Sequence, residues 1–436
     1  MPELSTVLDY SFVFAAGCVL VGLLVFIHES GHYAVAKLLG IRVEVFSLGF
    51  GPKILRFLKG GTEYCISAIP LGGYVKMLGE NPDESLEGSR EEFLSRSKPE
   101  RFAVLVMGAT LNIVLAVVLT AAVFMYGVPE AQFLSQAAGI GNVDPDGAAA
   151  RAGIRPGDVV LRIGEKDVPT WRDLQLQVAL VPDRTIDFTI LRDGSRLTVP
   201  VEVGETRREG YGIIGVGPWT EMSIAEVEPG GPAEKAGIRE GDVIEPEGYA
   251  PFVEQVTGWT GQTLSLQISR GGERLTFDLE PRNRDGRPDT GMSVTYPSRL
   301  RQYGPVDAVM ESLEQNWSQA GALFSVLKKL VWRELSVKSL SGPIEIFRLA
   351  GESLNAGWTY YLTLMAFISL QLGIINLLPI PIMDGGHIFI LFVEGIMRRD
   401  LSMKIKERVM QFGLIFLLLL MGGVIYLDVY KNLFID

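Results

Sequence analysis

Cysteine is scarce in this chain: 436 residues hold two. Cys18 falls in an apolar run, Cys65 follows that run, and residues 128–358 have none, so no disulfide scaffold is implied. Positive charge is also short. Lys and Arg number 40 against 51 Asp and Glu, a formal net charge of -11. That balance argues against a nucleic-acid partner, which requires a positive face for phosphate. The first nine residues contain Glu3 and Asp9 and neither Lys nor Arg. A cleavable signal peptide begins with the opposite charge, so the first apolar run is expected to remain in the mature protein.

What the chain does have is long apolar runs separated by polar stretches. Residues 10–27 form the first, with helical character continuing to about 39, and residues 102–127 form the second. A third begins near Tyr360 and is broken at Pro379 and Pro381; a fourth covers residues 409–427. Each is near the roughly 20 residues that cross a bilayer. The expected fold class is a polytopic α-helical membrane protein with four transmembrane segments, the third irregular. Arg398, Arg399, Lys404, Lys406 and Arg408 lie between the last two runs, and Arg96, Lys98 and Arg101 precede the second. The bias of basic residues places those loops in the cytoplasm. Both termini and the long region between spans two and three are then expected outside it.

That region repeats itself. Val143-Asp-Pro-Asp-Gly-Ala-Ala-Ala-Arg-Ala-Gly-Ile154 matches Val227-Glu-Pro-Gly-Gly-Pro-Ala-Glu-Lys-Ala-Gly-Ile238, and Gly157-Asp158-Val159 matches Gly241-Asp242-Val243 in the same register. Arg192 to Thr198 faces Arg270 to Thr276 after a loss of about six residues in the second copy. Each copy reads as strand, turn, short Ala-rich helix, strand, helix and two strands. This resembles the PDZ domain in its circularly permuted bacterial arrangement. Such modules take a peptide as an added strand, or the pair serves as a steric screen.

After the repeats, Val309, Leu313, Trp317, Ala320, Phe324 and Leu327 recur at helical spacing within residues 304–357. A helix lying on the membrane surface and a helix facing a core both fit. Between spans one and two, residues 43–77 show glycine-rich, strand-like stretches, among them Gly49-Phe50-Gly51. Apolar strands beside a bilayer must pair internally, so a membrane-associated β-hairpin is expected. Its glycines either permit turns or let a substrate strand approach.

Two of the three histidines form His28-Glu29-Ser30-Gly31-His32. At i and i+4 on a helix, both imidazoles can reach one metal ion. A carboxylate at the position of Glu29 can take a proton from an attacking water. Ionisable groups at the end of an apolar run are usually retained for function. A catalytic zinc site needs a third protein ligand. The other polar cluster inside an apolar stretch is Asn376-Leu-Leu-Pro-Ile-Pro-Ile-Met-Asp384-Gly-Gly-His387, where Asp384 and His387 are both chemically suitable. Its prolines free backbone carbonyls that lipid cannot satisfy, which fits a pocket lined by protein or water.

His-Glu-x-x-His in a first span paired with Asn-x-x-Pro-x-Pro-x-x-Asp-Gly in a late one resembles the site-2 protease family of intramembrane zinc metalloproteases. The likeness extends to tandem PDZ domains after the second span, to Gly49-Phe50-Gly51, and to Leu340-Ser-Gly-Pro-Ile344 before the third. It implies His28, His32 and Asp384 as ligands of Zn2+, Glu29 as general base, and Asn376, Gly49, Phe50 and Gly51 as substrate-contacting residues. His387 is left without a role. The family usually has Leu before the ligand Asp, and this chain has Met383, an apolar residue of similar volume. The resemblance further implies a bacterial inner-membrane protein with its termini and PDZ domains on the periplasmic side. Its substrates would be single-pass membrane proteins already trimmed outside, such as an anti-sigma factor, or remnant signal peptides. The expected layout is spans one and two with the hairpin in 1–127, PDZ domains in 128–218 and 219–303, an amphipathic linker in 304–358, and spans three and four in 359–436.

Overall fold

The computed structural model describes residues 4–80, 87–206, 210–245, 252–253, 255–256, 258–284, 287–332 and 342–434; Leu340 and Ser341 of the motif noted above lie outside them. The chain divides into two compact units, one built from residues 1–127, 302–325 and 340–436, the other from 128–301 and 326–339.

The first unit starts with helix α1 (Leu4–Leu38) and helix α2 (Lys98–Tyr126). Their apolar runs contain no interior proline, and α2 starts where Glu100 accepts the Ser97 N–H at 3.0 Å, with Pro99 in its first turn. It stops at Gly127, whose φ of 100° an L side chain rarely adopts. The two helices approach closely because glycine stands at the crossing: a Cβ on Gly31 would lie 2.5 Å from the Met107 carbonyl oxygen.

Between α1 and α2 lie β1 (Val43–Lys59) and β2 (Thr62–Met77), joined by a turn at Gly60 and Gly61. The hairpin is more folded than the sequence suggested, because each strand bends and pairs twice. Residues 43–48 pair with 73–77, residues 53–59 pair with 62–67 across the turn, and residues 45–48 also pair with 63–66. The bends fall at Gly49, Gly51 and Gly72, with φ of 91°, 85° and 115°. Four short strands result, and among the described residues no strand covers the outer edge of 73–77. Phe46, Val75 and Met77 bury one face against Ala36 and Val104.

In the second unit the two sequence copies form two sheets. The first pairs strands 166–167, 159–163, 185–192 and 195–202 in that order, with helices α3 (Ala148–Arg151) and α4 (Trp171–Ala179). The second pairs 273–279, 264–270, 243–244, 222–227 and 292–295, with helix α5 (Pro232–Ala236). The repeated Gly-Asp signature now has a cause. Asp158 and Asp242 are buried, and each accepts two bonds from one arginine. Arg192 Nε donates to Asp158 Oδ1 at 2.7 Å, and Arg270 Nε to Asp242 Oδ1 at 2.7 Å. The same arginines reach the carbonyls of Gly153 and Gly237. Each clamp ties the end of the Ala-rich helix to the strand pair.

The chain continues with α6 (Pro305–Val331), which belongs to the first unit as far as Ser325, and then with α7 (Pro343–Ala356), α8 (Trp358–Leu377), α9 (Asp384–Met397) and α10 (Met403–Phe434) of the first unit. Against the core-facing option, α6 turns its small and polar side inward: Ala308, Ser312 and Asn316 are buried, and Asn316 donates to Thr120 of α2. Val309, Leu313, Trp317 and Phe324 are exposed, Trp317 at 83%. The third apolar run breaks where expected, between α8 and α9, and Gly413 of α10 packs on the break: a Cβ there would lie 2.2 Å from that of Pro381. Among the described residues four helical stretches are long and apolar enough to cross a membrane: Ser11–Leu38, Lys98–Tyr126, Trp358–Leu377 and Lys404–Tyr430.

Candidate metal centre and active site

His28 and His32 stand one turn apart on α1 and turn their imidazoles toward α2, with 8% and 7% exposure. They fit because residue 108 has no side chain. A Cβ on Gly108 would lie 2.3 Å from His32 Nε2 and 2.9 Å from His28 Cε1. His32 Nδ1 donates to the Val104 carbonyl at 2.9 Å, which leaves its Nε2 as the lone-pair nitrogen. His28 Nδ1 faces the Asn112 carboxamide at 3.4 Å.

Asp384 arrives from the other end of the chain. Pro379 and Pro381 cannot continue α8, and Ile382 takes a φ of 81°. The connection then curls tightly over the start of α9: a Cβ on Gly385 would lie 2.2 Å from the Leu378 carbonyl oxygen. Asp384 is thereby the first residue of α9, where the helix dipole favours an anion. Its Oδ2 lies 3.2 Å from His28 Nε2 and 3.5 Å from His32 Nε2, and the two nitrogens are 3.2 Å apart.

These three donor atoms all lie within 4.8 Å of one another. Asp384 Oδ2 is buried and receives no hydrogen bond. Two imidazole nitrogens and a carboxylate oxygen at this spacing, with Asp384 Oδ2 unsatisfied, are a donor set that suits a divalent cation. Of the two candidates for the third position, Asp384 is the one brought to the histidines. His387 lies one turn further along α9 and is exposed.

A cavity of about 530 Å³ opens onto the triad. Glu29, Asn376 and Met383 line it, together with Phe50 and Gly72 to Val75 of the sheet. Glu29 is aimed there because Gly73 leaves room: a Cβ on Gly73 would meet Glu29 Cγ at 3.3 Å. Phe50 stacks on Tyr74 with ring centroids 6.1 Å apart, over the bare Cα of Gly72. Among the described residues, Gly49 and Gly51 shape the bend that carries Phe50 and do not line the cavity themselves.

Sequence reasoning passed over Asn112, Gly108 and the Val104 carbonyl, all on α2. Asn112 had a signal, as the one amide side chain in the run 102–127, where polar groups are costly. A backbone carbonyl has none.

Residues 16–420 match peptidase family M50. The chain is 33% identical to the regulator of sigma-E protease RseP of Escherichia coli strain K12, over 97% of this chain and 99% of that protein. It is 34% identical to the protease RseP of Yersinia pestis, over 95% and 97%. It is 31% identical to a candidate zinc metalloprotease of Neisseria meningitidis, over 97% and 99%. A match along nearly the full length, on a chain whose apolar helices can cross a membrane, leads to one conclusion: the chain belongs to peptidase family M50, the site-2 proteases, and is an intramembrane zinc metalloprotease.

Proposed function

We propose that the chain hydrolyses a peptide bond within the transmembrane segment of single-pass membrane proteins, with His28, His32 and Asp384 as zinc ligands and Glu29 as general base. The observation that carries this reading is the convergence of the three donor atoms on a cavity that Glu29 and Asn376 also line. Zinc held there supplies a Lewis acid and lowers the pKa of water. The Glu29 carboxylate takes the proton from the attacking water and returns it to the leaving nitrogen. Asn376 holds the substrate backbone through its carboxamide, and the broken third span keeps water and polar backbone at membrane depth without exposing them to lipid.

A transmembrane helix hides its peptide bonds in its own hydrogen bonds, so it must unwind before cleavage. Residues 73–77 border the cavity with an edge that no described strand covers, along which an extended substrate would pair. Phe50, seated by the bends at Gly49 and Gly51, forms the wall beside it.

The two repeats act as PDZ domains in the permuted arrangement, on the periplasmic side together with both termini. As a size filter they would admit a pre-trimmed anti-sigma factor or a remnant signal peptide and reject intact proteins. A peptide-binding role is favoured for the first repeat by a cavity of about 280 Å³ between α4 and residues 212–216, lined by Leu174, Val178 and Ile214.

Cleavage of a labelled transmembrane peptide by the purified chain tests the reading. A zinc chelator should abolish it, and Glu29→Gln should lower turnover by about 10²–10⁴-fold while zinc stays bound. Turnover by Glu29→Gln at the native rate would refute the assignment of the base.

A further inference from the structure

The two histidines are oriented by different kinds of partner. His32 Nδ1 donates to a backbone carbonyl, which no substitution at Val104 removes. His28 Nδ1 faces a side chain, Asn112, which is fully buried. Asn112 is itself held: its backbone oxygen accepts from Ser369 Oγ of α8 at 2.7 Å. Its Nδ2 stands 3.4 Å from His28 Nδ1, while its Oδ1 is buried with no partner.

A neutral imidazole that binds a cation through Nε2 carries its proton on Nδ1, and that N–H needs an acceptor. The ends of a carboxamide are nearly isosteric. Turning the Asn112 amide end for end puts Oδ1 opposite Nδ1, so that the carboxamide oxygen, which has no partner otherwise, becomes the acceptor that the Nδ1–H needs. We infer that Asn112 is a positioning residue: it accepts from His28 Nδ1–H, fixes the tautomer that presents Nε2 toward Asp384, and so raises the site's affinity for zinc. This rests on the ligand assignment proposed above. It also gives the site a link to α8, since Ser369 holds the residue that holds His28.

The test is zinc affinity, measured on the full-length chain in detergent by competition with a chromophoric chelator. Asn112→Leu keeps the bulk and removes the acceptor; it should weaken binding about 10- to 100-fold. Asn112→Asp restores an acceptor and should bind within a few-fold of the native chain. The thermal midpoint of the metal-free Leu variant should match the native metal-free chain. Native affinity in Asn112→Leu would overturn the inference. So would equal losses in the Leu and Asp variants accompanied by a lower metal-free midpoint, since packing would then explain both. Failure of the native chain to bind zinc would instead sink the ligand assignment itself.

Discussion

Gly108→Ala is the smallest change that addresses the centre directly. The added methyl would lie 2.3 Å from His32 Nε2 and 2.9 Å from His28 Cε1. Ordinary contact begins near 3.4 Å, so the imidazoles or the helices must yield by about 1 Å. Metal–ligand distances tolerate only about 0.2 Å. If the rings move, the site loses its spacing, and zinc affinity should fall at least about tenfold. If α1 and α2 separate instead, overpacking costs about 1–3 kcal/mol. The assay is zinc retained after graded chelator challenge, read beside the thermal midpoint of the metal-free protein. Gly22→Ala on α1 is the control, because a Cβ there meets nothing within 4 Å. That change should leave zinc binding unaltered and can only help the helix, by up to about 1 kcal/mol. A Gly108→Ala chain with native affinity and native midpoint would refute the claim that residue 108 must be bare for the histidines to converge.

Phe50→Ala removes the aromatic wall beside the sheet edge; kcat/KM for a transmembrane peptide should drop about tenfold, with zinc content unchanged, and an unchanged kcat/KM would remove Phe50 from the substrate path. Arg270→Ala leaves the buried Asp242 carboxylate without its counter-charge and should cost the second repeat about 3 kcal/mol, read by denaturant unfolding; a change under about 0.5 kcal/mol would contradict the clamp. Burial pushes the Asp242 carboxyl up, but its bonds from Arg270 and the Arg239 N–H prevail and hold it below its usual range. A depressed carboxyl stabilises the fold above its unfolded pKa, near 4, and that stability is lost as pH falls through the lower folded value. Acid titration of unfolding should therefore show a steeper loss below about pH 4 in the native chain than in Arg270→Ala.

The spans, the repeat and the paired histidines were legible because each is a local pattern: apolar length, self-similarity, and i to i+4 spacing; between Asp384 and His387 only the family resemblance chose. The break between α8 and α9 was legible for a related reason, since proline removes a donor wherever it stands. Three things were not. The sheet between α1 and α2 was read as one hairpin; its glycines mark bends that make four short strands, and which strand pairs with which is a long-range matter. The stripe on α6 was seen, yet its inward face turned out to be Ala308, Ser312 and Asn316, because against another apolar helix close approach favours small residues over large ones. Asn112 was missed because an isolated amide carries meaning only once its neighbour, His28, is known to sit opposite it.

The proposed centre draws two donors from residues 28 and 32 and the third from residue 384, about 350 residues later. A ribosome adding about 5–20 residues per second needs somewhere between a quarter and a full minute or so to cover that distance. Throughout that interval the emerging enzyme has its base and its imidazoles already in the bilayer but lacks the carboxylate that completes them. On the proposed ligand assignment, the centre is therefore complete only when insertion is nearly finished.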